Sequence, residues 1–122
     1  MKVFNGTPHE INVVSGAEFN GEIRKYTGGK IISSFPSNGV LNAHISTELV
    51  DDSVLPIFEK KIKGYDPLPE GFDIYIVSML YATALMGAGV DVSKVYTVAD
   101  PVMSEDGKTF VGCRGICGVN IS

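Results

Sequence analysis

The sequence predicts an α+β fold: a single domain with an antiparallel β-sheet and one helix over about residues 78–88. Three observations predict it. Turn-forming pairs punctuate the chain at Asn5-Gly6, Asn20-Gly21, Gly28-Gly29, Asn38-Gly39 and Asp106-Gly107. Short β-branched and aromatic runs lie between them. One stretch, Met79–Met86, has the leucine, alanine and methionine content of a helix. At 122 residues there is room for one domain. A composition 44% hydrophobic and 20% charged is globular rather than disordered.

The elements follow in order. Val3–Asn5 and Ile11–Val14 read as strands around a dense polar knot, Asn5-Gly6-Thr7-Pro8-His9. Glu22–Tyr26, Ile31–Phe35 and Leu41–Ser46 are further strand-like runs, the first of them mixed rather than cleanly alternating. Thr47–Pro56 reads as a polar connection, and Ile57–Ile62 as a strand or a helical turn. Pro67 and Pro69 make Tyr65–Gly71 a loop. Phe72–Val77 has the residues of a buried central strand. Ser78 is a good N-cap for the helix that follows, with Leu80, Ala84 and Leu85 supplying its apolar face, and Gly87-Ala88-Gly89 ends it. Lys94–Val98 is a strand running into Asp100-Pro101-Val102. The tail from Met103 to Gly115 reads as a hairpin about Glu105-Asp106-Gly107.

Charge narrows the function. A net charge of −4 argues against wrapping a long nucleic acid, whose binding rests on many lysine–phosphate contacts. It leaves room for one small anionic ligand. Arg24 and Arg114 are the only arginines, so either is the natural clamp for a phosphate or carboxylate, since lysine lacks the planar fork. Cys113 and Cys117 have no second ligand pair beside them, so reduced thiols are expected rather than a zinc site. Neither a leader-like segment nor a membrane-length apolar run is present, which makes a soluble intracellular protein the expectation.

Several residues can carry recognition chemistry. Ser78 at a helix start is a capping serine first and a phosphate cradle second. Tyr81, beside Met79, either leans back to stack on a base or packs against the sheet. Arg114 lies between Gly112 and Gly115, which let a ligand or another backbone approach closely; it serves as a pyrophosphate clamp or as a surface ion pair. His9 beside Thr7 locks the turn or meets a ribose, and Asp100 before Pro101 starts a turn or binds a ribose hydroxyl. Asp51-Asp52 and Glu105-Asp106 read as solvated pairs. No nucleophile–base motif stands out, so a binder is favoured over an enzyme, with no catalytic residue, no metal and no cofactor expected. A small phosphodiesterase with His9 as base, and a structural or interaction protein, are the competing readings.

The opening Phe4-Asn5-x-Thr7-Pro8-His9-x-Ile11, with Asp73-Ile74-Tyr75-Ile76-Val77-Ser78 and the tail Gly112-Cys113-Arg114-Gly115-Ile116, resembles the phage Thoeris anti-defence sponge family, the anti-defence proteins of the first type. The likeness spans nearly the whole chain, with Gly6 where a leucine is expected. It implies a protein of the host bacterial cytoplasm that sequesters glycocyclic ADP-ribose, the signal of bacterial TIR-domain defence enzymes, without cleaving it. It also implies a homo-oligomer, a dimer or higher, with pockets between subunits; some members hold cyclic oligonucleotides at separate sites. The site residues come from chemistry and not from the family. Tyr81 or Tyr96 can stack the adenine of such a ligand. Arg114, Arg24 or the Ser78–Met79 helix start can take its phosphates, and Thr7, Thr97 and Asp100 its ribose hydroxyls.

Overall fold

The computed structural model describes residues 1–119. In chain order the elements are β1 (Val3–Asn5), β2 (Ile11–Ser15), β3 (Glu18–Asn20), β4 (Lys25–Thr27), β5 (Lys30–Phe35), β6 (Ala43–Asp51), β7 (Ile57–Tyr65), β8 (Ile74–Ile76), α1 (Met79–Gly87), β9 (Val95–Met103) and β10 (Phe110–Gly118). The main sheet runs β1-β8-β9-β10-β2-β5, with the β3–β4 hairpin joined to it through β4 and β9; β6 and β7 form a separate two-stranded ribbon. The α+β class and the single helix are as the sequence predicts. The pairs β9–β10, β2–β5, β3–β4 and β6–β7 are antiparallel. Longer connections add the parallel pairs β1–β8, β8–β9, β4–β9 and β2–β10, so the sheet is mixed.

The β8–α1–β9 unit is the structural centre. Parallel neighbours need a crossover, and α1 supplies it. Ser78 caps the helix: its backbone is extended and its Oγ accepts from Tyr81 N at 3.2 Å. At the other end the Ala88 N–H reaches the carbonyls of Ala84 and Leu85, and Gly89 at φ 75° turns the chain away. Tyr81, Ala82, Ala84 and Leu85 are the buried residues of the helix, and Tyr81, Ala82 and Leu85 pack in one cluster with Phe4, Tyr75, Val77, Val92 and Val95. Leu80, expected on that face, is 46% exposed. Tyr81 takes its place because its hydroxyl donates to the Asp66 carbonyl, so that burying the ring leaves no polar atom unmet. A second cluster, Ile11, Ile76 and Cys113 with Val13, Phe35 and Ile116 against it, fills the turn of the sheet towards β2 and β5.

The opening knot is built around Asn5, which is fully buried. Its Nδ2 donates to the carbonyls of His9 and Phe35, both at 2.9 Å. Its Oδ1 accepts from the Thr7 amide at 3.0 Å and hydroxyl at 2.6 Å. Leu41 lies across Gly6, where an added Cβ would come within 2.9 Å of it.

Two segments differ from the expectation. Glu22–Arg24 is a turn rather than the start of a strand: Asn20 Oδ1 accepts from Glu22 N at 2.9 Å, and Arg24 takes φ 55°. The polar connection expected from Thr47 begins only after Asp51, because β6 runs on through Thr47–Asp51 against β7. Ser46 and Glu48 are one side of an alternating strand, and alternation over so few residues looks polar when read as a run.

Candidate functional site

The structure sorts the predicted site residues into two groups and removes one. Tyr81 is fully buried; its hydroxyl is committed to the Asp66 carbonyl and its ring meets Tyr65 edge-on. Burial, then the Asp66 carboxylate and Tyr65, push its pKa up to about 12. Such a ring offers no face to a base, so the stacking role expected of Tyr81 is corrected to a core role.

The first group is a rim where strand ends meet. Gly6 N donates to Ile76 O at 2.8 Å and Val77 N to Tyr96 O at 2.9 Å. Thr7 and Ser78 follow on β1 and β8, and Thr97 lies within β9 one residue past Tyr96, so the bonded register places the three close together, with Met79 exposed at the helix start beside Ser78. Within this rim Ser78 is a helix cap and Thr7 a turn lock: the Thr7 hydroxyl donates to Asn5 Oδ1. Thr97 stands half-buried opposite Cys117. A groove of about 210 Å³ opens beside the rim, lined by Thr7, His9, Asn12, Val98, Phe110 and Cys113. The Cys113 thiol is buried and points to the Asn12 carbonyl at 3.5 Å; burial pushes its pKa up, so it stays protonated.

The second group stands three residues further along β9, about 10 Å away. Asp100 and Arg114 face each other across β9 and β10, and Arg114 Nη1 donates to Asp100 Oδ2 at 3.1 Å. The guanidinium lies over the Tyr26 ring, its Cζ 4.4 Å from the centroid, and Tyr26 is braced edge-on by Phe19. Arginine stacks on an aromatic face and keeps its in-plane donors for a planar or tetrahedral anion. One donor is used on Asp100, and the side chain is 46% exposed, so the rest of the fork faces outward. Asp100 holds φ 49°, an uncommon conformation for a non-glycine residue in mid-strand. It aims the carboxylate at Arg114 at the cost of backbone strain. Arg24 stands in the turn just before β4 and makes no ion pair among the described residues.

The glycines around Arg114 do different jobs. A Cβ on Gly112 would lie 2.6 Å from the Asn12 carbonyl, so this glycine admits the neighbouring strand β2. Gly115 has open space around its Cβ position. Tyr26 and Phe19 were not singled out in the sequence. Tyr26 ends the mixed Glu22–Tyr26 run and Phe19 precedes it; the Asn20-Gly21 turn between them folds the two into a hairpin that sets Phe19 opposite Tyr26.

Among the described residues no three His, Cys, Asp or Glu side chains converge as a metal-binding group. No helix there is long and apolar enough to cross a membrane. No protein-family model, no curated protein and no solved structure matches the chain.

Proposed function

We propose that this protein binds a cyclic nucleotide signal, glycocyclic ADP-ribose, and holds it without cleaving it, so that bacterial Thoeris defence is not triggered. The observation that carries the reading is the Arg114 guanidinium, seated on Tyr26, tied by one bond to Asp100 and otherwise open. A pyrophosphate suits that fork, because two parallel N–H donors match two phosphate oxygens. The rim of Thr7, Ser78 and Thr97 lies about 10 Å along β9, with hydroxyls for riboses. The resemblance of the opening, the β8 strand and the tail to the sponge family supplies the ligand's identity. Holding such a ligand against a receptor calls for nanomolar affinity and deep enclosure, which one open surface does not provide. The proposal therefore includes pockets completed between copies in a homo-oligomer, in the host cytoplasm, with cyclic oligonucleotides as a further ligand class.

The test is retention. The protein is incubated with glycocyclic ADP-ribose and recovered on a filter, then heat-denatured, and the released material is assayed. Intact ligand in the released fraction supports sequestration. Ligand left wholly in the filtrate ends the proposal, and ADP-ribose as the only product assigns the protein to the hydrolases instead. The chain has five tyrosines and no tryptophan, so a copurifying nucleotide also raises its ultraviolet absorbance ratio visibly.

A further inference from the structure

The β6–β7 ribbon sorts its side chains by face. Between Ile45 and Leu49 its register is uninterrupted: Ile45 faces Ile62, Ser46 Lys61, Thr47 Lys60, Glu48 Glu59, and Leu49 Phe58. Successive strand residues point to opposite sides. Ile45, Leu49, Phe58 and Ile62 therefore share one face with Thr47 and Lys60, and Ser46, Glu48, Glu59 and Lys61 share the other. The polar face is tied together by Glu48, which meets Lys61 at 3.0 Å and Lys63 at 2.9 Å. The apolar face is open, with Leu49 52% and Phe58 59% exposed. A two-stranded ribbon is marginal in water by itself; three or more strands with an apolar face are the stable form.

The two edges of the ribbon differ. β7 carries Lys60, Lys61 and Lys63, which guard an edge against pairing. β6 contains no lysine, arginine or proline. Residues 43–65 hold four carboxylates (Glu48, Asp51, Asp52, Glu59) against those three lysines, a near balance that suits neither a nucleic acid nor an anionic membrane.

We infer that β6 pairs antiparallel with β6 of a second copy, about a twofold axis at Thr47, to give a four-stranded sheet. With that centre all nine residues of the strand overlap. Ile45 lies opposite Leu49 of the second copy, and Ser46 opposite its Glu48, so no two like charges face each other across the new seam. Each apolar row then reads Ile62, Ile45, Leu49, Phe58 across the four strands, and the axis relates two such rows. The two Lys60 side chains sit on the outer strands, about 14 Å apart at three strand spacings. A one-residue slip would bring the apolar face of one ribbon beside the polar face of the other. Centring on Glu48 would set two carboxylates directly opposite. The pairing names a surface for the oligomer of the proposed function, but it rests on the ribbon alone.

The test places cysteine at the axis in the full chain, with the exposed Cys117 replaced by serine. Antiparallel partners have Cα atoms about 4.5–5.5 Å apart, within disulfide range. Thr47→Cys is expected to form a covalent dimer on mild oxidation, and Lys60→Cys, three strand spacings from its counterpart, is not. Thr47→Lys sets two ammonium groups against each other and is expected to shift the sedimentation mass from twice 13.1 kDa to the single-chain value with an unchanged circular-dichroism spectrum. A single-chain mass for the unaltered protein at micromolar concentration overturns the inference. So does an oligomer that Thr47→Lys leaves intact and Thr47→Cys fails to link. A dimer cross-linked at residue 47 that retains no nucleotide overturns the proposed function and leaves this pairing standing; a monomer that retains nucleotide overturns this pairing and the pocket between copies, and leaves sequestration itself standing.

Discussion

The β8–α1–β9 unit and the β6–β7 ribbon draw on similar apolar residues and end in opposite states. In the first, a capped helix folds back over a parallel pair and seals Tyr75, Val77, Leu85 and Val95 from water. In the second, two nine-residue strands pair with each other, rest their base near α1, and leave Leu49 and Phe58 half in solvent. The difference is one of closure. A βαβ unit carries its own cover, because the crossover helix must lie on the sheet. A hairpin has two faces and two edges, and nothing in its own length covers them. The core region is therefore where this chain keeps its stability, and the ribbon is where it has capacity for a partner.

Substitutions can break that contrast. The largest expected effect is Leu85→Ala, which opens a cavity in the sealed unit and costs about 2–5 kcal/mol. Denaturant unfolding with an unchanged m-value measures it. Leu49→Ala on the ribbon is expected to stay within about 0.5 kcal/mol in the same assay. Equal losses at the two positions would erase the contrast.

Next comes the knot. Asn5→Ala removes four hydrogen-bond roles at a buried side chain and takes the Asn5 partner from the Thr7 amide and the Phe35 carbonyl, while the His9 carbonyl keeps the Thr7 hydroxyl at 3.1 Å. Each stranded group costs about 1–3 kcal/mol, so a midpoint shift comparable to that of Leu85→Ala is expected. Gly112→Ala, whose Cβ would press on the Asn12 carbonyl, is expected to cost about 1–3 kcal/mol, against no measurable change for Gly115→Ala. Loss of stability at Gly115 alone would show that β10 is misplaced against β2.

Alkali sharpens the contrast from the other side. Tyr81 has a raised folded-state pKa, so the stability it contributes is complete below the ordinary tyrosine range. That contribution is lost as pH rises from about 10 towards about 12. The protein is expected to weaken over that interval, and Tyr81→Phe to flatten the decline while losing the bond to Asp66. A decline of the same slope in Tyr81→Phe would assign it to other groups.

What could be seen in the sequence was local. The cap at Ser78, the helix, the glycines after it and the hairpin at Asp106-Gly107 each depend on neighbours within a few residues. The role of Asn5 was not visible, because its partners Phe35 and Asn38 come from another part of the chain. Tyr26 was hidden for the same reason: only the parallel pairing of β4 with β9 brings it under Arg114. Tyr81 was ambiguous because the helix has apolar residues on most sides, and the tie to Asp66 decided which side went in. The ribbon was cut short at Thr47 because Glu48, Asp51 and Asp52 give the following stretch a polar look, and the strand that pairs with it lies beyond the next turn. Of the expected ligand groups, Asp100 and Arg114 were paired by the fold, and Thr7, Ser78 and Thr97 were gathered on one rim.

The most direct measurement on the central claim is a calorimetric titration of the protein with glycocyclic ADP-ribose, run beside Arg114→Lys. Saturable binding with a nanomolar dissociation constant, about −12 kcal/mol, is expected for the unaltered chain. Arg114→Lys is expected to weaken it by at least about tenfold, since an ammonium cannot reproduce the fork over Tyr26. No saturable binding at micromolar protein, or recovery of ADP-ribose in place of the intact ligand, would contradict sequestration.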